Sequence, residues 1–76
     1  MVLSLEIDNI LKEYVDREEI RRMVVKEISD KIYNTRNRNF QVTIEYRIEL
    51  EKGICAVLIK HKLFQPIIVD QIMKVL

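Results

Sequence analysis

The feature that most constrains this chain is a run of twelve residues in strict alternation. Phe40, Val42, Ile44, Tyr46, Ile48 and Leu50 are apolar, while Gln41, Thr43, Glu45, Arg47, Glu49 and Glu51 are polar. A period of two places one set on each face of a half-buried antiparallel strand. Lys52-Gly53 follows, with the only glycine of the chain. A two-residue hairpin turn needs positive φ, which glycine adopts without strain. Ile54 to Ile59 is apolar on both faces and returns as the second strand. The hairpin then spans Phe40 to Lys62. A two-residue loop sets Leu50 opposite Cys55, Ile48 opposite Val57, Tyr46 opposite Ile59 and Ile44 opposite His61. A three-residue loop would turn Lys60 and Lys62 inward, so the first register is expected.

The flanking segments carry helical spacing. Leu3, Ile7, Ile10, Leu11 and Tyr14 recur at threes and fours, which predicts a helix over about residues 4 to 14 with Ser4 as its N-cap. Asp16-Arg17-Glu18-Glu19 has the form of a capping box at the start of a second helix, running to about Tyr33. Its stripe is Ile20, Met23 or Val24, Ile28 and Ile32. Glu18 with Arg22 and Glu27 with Lys31 stand four apart with the acid first, the favourable order. Asn34 to Asn39 is polar throughout and is expected to be a loop. Pro66 suits the first position of a third helix, which continues to the C-terminus through Ile67, Ile68, Val69, Ile72, Met73, Val75 and Leu76.

The predicted fold class is therefore α+β in the order helix, helix, strand, strand, helix, forming a single domain over residues 1 to 76. An antiparallel hairpin packed on helices exposes two edges and is marginal by itself. Dimerisation into a four-stranded sheet would cover one edge of each copy. The last helix is apolar nearly all round, which also points to a partner. Ile54, Ala56, Leu58, Ile68, Ile72, Met73 and Leu76 are the expected interface residues of a homodimer. A chain this short has limited core to stabilise it. One cysteine excludes an internal disulfide, and a single Cys with a single His excludes a zinc site of the usual four ligands.

Chemistry is sparse, and no catalytic, cofactor-binding or metal-ligating residue is expected. His61 is the one imidazole, but it ends a strand between two lysines with no nucleophile to serve. Cys55 lies between Ile54 and Ala56 and reads as a small core residue. Asp16, Glu18 and Glu19 are explained by a helix start. One glycine is too few for a phosphate-cradling loop. The element order invites comparison with KH-type RNA-binding domains, but Tyr14-Val15-Asp16-Arg17 stands where their glycine-containing loop would be. A winged helix would need a third helix before the hairpin.

The remaining lead is basic. Arg17, Arg21, Arg22 and Lys26 are assigned to the outer side of the second helix, and Arg36 and Arg38 to the loop after it. Such a patch suits phosphate and base-edge contacts. Yet 13 basic and 12 acidic residues leave a net charge of only +1, so nucleic acid could meet a local patch but not a polybasic chain. No segment is long and apolar enough for a membrane helix, and Met1 to Leu5 has no basic flank for a signal peptide. A cytoplasmic setting is the expectation. The first functional expectation is a non-enzymatic protein-interaction or assembly module acting as a homo-oligomer. The alternative is a small DNA- or RNA-binding protein that uses the arginine and lysine patch.

Overall fold

The computed structural model describes residues 2–38 and 43–76. It has four helices in chain order: α1 (Val2–Leu11), α2 (Glu18–Arg36), α3 (Thr43–Lys60) and α4 (Pro66–Lys74). Among the described residues there is no strand, which overturns the expected α+β fold, its hairpin and the four-stranded sheet of a dimer. Thr43 to Lys60 is one helix. The start of the expected strand, Phe40-Gln41-Val42, and the end of the expected loop, Asn39, lie outside the described residues, as does Met1.

The alternation has a helical explanation. At about 100° per residue, every second residue moves about 200° round the axis. Ile44 and Ile48 therefore share one side of α3, and Tyr46 and Leu50 share the other. Leu50, Ile54, Val57 and Leu58 are buried on the inner side, while Ile44, Ile48 and Ile59 are exposed on the outer side. From Thr43 onward the alternation is the trace of a helix with two apolar faces. The β preference of Ile, Thr and Tyr is modest and depends on context. Each buried Leu or Ile contributes about 1.5–3 kcal/mol, so the inner face decides the outcome.

Gly53 makes no turn. It is helical, with no positive φ. A Cβ built on it would stand 3.4 Å from Lys31 Cβ on α2. That is an ordinary contact, so neither the backbone nor the packing requires glycine at this point.

The other helices lie near their expected places, with local corrections. α1 begins at Val2, so Ser4 is inside the helix and not its cap. Its hydroxyl meets that of Ser29 on α2 at 3.1 Å. α2 begins at Glu18, but its N-cap is Arg17 and no side-chain capping bond forms, so the capping box is absent. Glu18 and Glu19 still place negative charge at the positive end of the helix. α2 continues through Asn34, Thr35 and Arg36, half of the expected loop. Thr35 tolerates burial because its hydroxyl donates to the Lys31 carbonyl at 2.7 Å. α4 starts at Pro66 after an extended Gln65, as its sequence requires.

Each helix gives one stripe to a common core. α1 contributes Ile7 and Leu11; α2 contributes Val24, Ile28 and Ile32; α3 contributes its inner face; α4 contributes Ile68, Val69 and Ile72. α2 packs on α1 and α3, and α4 closes the ring against both of those. Arg38 pairs with Glu49, Lys31 meets Gly53, and Glu27 pairs with Lys60, so α2 and α3 run antiparallel. α3 ends in a Schellman motif: Leu63 N–H donates to the Leu58 carbonyl at 2.8 Å and Lys62 N–H to the Ile59 carbonyl at 3.0 Å. Lys62 takes the left-handed conformation there, at φ 60°.

Candidate functional site: the outer face of α3

α3 carries two apolar stripes; the inner one fills the core, and of the outer one only Cys55 packs partly against it. The outer stripe is Ile44, Ile48, Cys55 and Ile59. On a helix these four fall within roughly 60° of one another. Ile44 is 68% exposed, Ile48 45% and Ile59 60%. Ile44 to Cys55 and Ile48 to Ile59 are each eleven residues apart, a spacing that keeps a stripe nearly parallel to the helix axis. A shallow groove along this face is lined by Ile48, Glu51, Lys52, Cys55, Ala56 and Ile59. Isolated exposed isoleucines are ordinary; here three share one side of one helix, with the exposed Glu51 and Lys52 flanking the gap between Ile48 and Ile59.

Cys55 is half-buried in this groove. Burial pushes its thiol above the ordinary range, and the Glu51 carboxylate adds to the shift. The thiolate that a nucleophile needs is therefore disfavoured.

Glu27, expected to pair with Lys31, reaches across to the end of α3 instead. Its carboxylate accepts from the Lys60 ammonium and lies in hydrogen-bond contact with Nε2 of His61. These partners, Lys60 first, hold Glu27 below the usual carboxylate range. His61 is only 13% exposed and is committed to this tie between helices. Lys60, His61 and Lys62 thus form a helix terminus and not the rim of a sheet.

The six basic candidates do not form one patch. Arg21 faces inward: it donates from Nε to Asp8 at 2.8 Å and from Nη1 to the Val15 carbonyl at 3.2 Å, and is 14% exposed. It fastens the α1–α2 connection. Arg22 pairs with Glu18 at 2.7 Å, as its spacing predicted. Arg17 lies 4.0 Å from Glu19, and Arg38 lies 3.6 Å from Glu49. Lys26 lines a groove between α1 and α2 together with Arg22, Asp8, Glu18 and Asp30. Three carboxylates against two cations give that groove the wrong sign for phosphate. Arg36 ends α2, exposed, and lies near the opposite end of the helix from Arg17.

The expected interface residues also separate. Ile54, Leu58, Ile68 and Ile72 are wholly buried inside the chain's own core. Met73 and Leu76 pack partly against it, and Ala56 is exposed beside the outer stripe. Sequence reasoning placed Ile44, Ile48 and Ile59 on the inner face of a hairpin and so missed them as surface. The signal was available as two interleaved sets at helical spacing: Tyr46, Leu50, Ile54 and Val57 in one, Ile44, Ile48, Cys55 and Ile59 in the other.

Among the described residues no helix is long and apolar enough to cross a membrane, and no three His, Cys, Asp or Glu side chains are grouped to hold a metal ion. Comparison with protein-family models, curated proteins and solved structures finds no match to this chain.

Proposed function

We propose that this chain is a non-enzymatic assembly module that works as a homo-oligomer and associates through the outer face of α3. The observation that carries the reading is the exposure of Ile44, Ile48 and Ile59 along one side of an 18-residue helix whose other side already fills the core. The stripe is about 22 Å long, enough for several layers of side chains to interlock with a second surface. The reading of the module as non-enzymatic is supported by its two reactive side-chain types. The Cys55 thiol is pushed up, and His61 is engaged with Glu27.

Ile48→Glu tests the proposal. A charge in the middle of the stripe would be desolvated on association and would block it. Light scattering at high micromolar concentration should find an oligomer for the unmodified chain and a monomer for the variant. Circular dichroism should find the same helix content in both, because Ile48 faces away from the core. A chain that is strictly monomeric without substitution defeats the reading.

A further inference from the structure

We infer that the partner on this face is a second copy of the chain, docked with the two α3 helices parallel about a two-fold axis along their length. The inference rests on the homo-oligomeric reading above and names its geometry. The argument comes from the charged residues that border the stripe. Taking the direction midway between Ile44 and Ile59 as the centre, Arg47 and Glu51 fall on one edge, and Glu45 and Lys52 on the other. All four are exposed. Lys52 has a contact with Glu49 at 3.8 Å and stays 71% exposed.

The two ways of pairing identical helices treat these edges differently. A two-fold parallel to the helices brings the left edge of one copy against the right edge of the other. Glu51 then meets the partner's Lys52, and Arg47 meets the partner's Glu45, each pair occurring twice. Both matches are opposite in charge. In the antiparallel arrangement with the same overlap, like edges meet. Glu51 faces the partner's Glu51, and Lys52 faces the partner's Lys52. Like charges across an interface are costly, so charge complementarity selects the parallel form. Each outer-stripe residue then meets its own copy, and the two Cys55 side chains lie across the axis from one another. In the antiparallel arrangement they would be about 10 Å apart along the helices.

Mild oxidation of the full chain with diamide reads the geometry directly. The two thiols form one disulfide and lose two protons and two electrons, which diamide takes up as it becomes the hydrazine. Parallel docking predicts a covalent dimer on a non-reducing gel, formed at a rate independent of protein concentration once the oligomer is populated, and abolished by Cys55→Ala. Charge exchange gives a second readout. Glu51→Lys or Lys52→Glu alone should weaken association roughly tenfold, and the double exchange should restore it. An oligomer by light scattering that neither cross-links nor responds to the exchanges overturns the parallel geometry while leaving self-association in place. A strict monomer overturns both.

Discussion

Gly53 sits in the middle of a helix, where glycine is about 1 kcal/mol worse than alanine. Its added Cβ would make ordinary contact with Lys31, the nearest atom being 3.4 Å away. Gly53→Ala should therefore raise stability by about 0.5 kcal/mol or more, read as a higher denaturation midpoint. At the tip of a hairpin the same change would force a Cβ into positive φ and cost about 1–2 kcal/mol. The sign of one measurement thus separates the helix from the hairpin. Lys62 is the converse case. It occupies the left-handed position that glycine normally fills at a helix end, held there by the bonds of Leu63 and Lys62 back to Leu58 and Ile59. The chain's one glycine thus sits where a Cβ would fit, and the positive φ among the described residues falls on a lysine.

At the scale of elements, the α2–α3 pair is tied at one end by Glu27 with Lys60 and His61. Glu27 has a lowered pKa in the folded chain, so the unfolded chain takes up its proton first as pH falls. The tie's contribution is complete above the ordinary carboxylate range and disappears as pH drops through the lowered value. Glu27→Gln should cost about 0.5–1 kcal/mol at neutral pH, a small figure because Glu27 and Lys60 keep solvent contact. The difference between the two proteins should shrink as pH falls below the ordinary carboxylate range, as urea midpoints across a pH series would show. A difference that stays constant into acid would mean that charge is not what the tie supplies.

Elements also mark what the sequence made legible. α2 and α4 were readable because each has a clear start, Glu18-Glu19 in one and Pro66 in the other, and apolar residues at helical spacing after it. α3 was not, because two stripes on opposite sides of a helix produce the same order of residues as one face of a strand. Length was the available warning, since twelve residues is about twice a typical strand. The site was hidden by the same ambiguity. Apolar residues of the last two helices looked available for a partner until the fold showed which of them, Ile54, Leu58, Ile68 and Ile72 among them, the chain buries for itself.

For the molecule as a whole, thirteen buried apolar residues make the described core, a modest number for a chain whose size already limits its stability. The proposed association of folded chains would add to it by mass action, about 2.7 kcal/mol at a hundred times the dissociation constant. Melting temperature should accordingly rise by several degrees over a hundredfold increase in concentration, and that of Ile48→Glu should stay flat. Calorimetry across a dilution series checks it. The double-sided character of α3 has a further consequence, for the uniqueness of the fold. A helix with two greasy sides has a competing arrangement in which it is turned half a revolution, with Ile44, Ile48, Cys55 and Ile59 inward. That rival drives Glu51 and Lys52 towards the interior and exposes Leu50, Ile54, Val57 and Leu58. The charges of Glu51 and Lys52, in one turn of one helix, therefore help to open the energy gap between the right packing and the wrong one. Polar replacements at Ile44 or Ile48 should widen that gap, so the variants that no longer self-associate should also be the ones that fold with the least frustration.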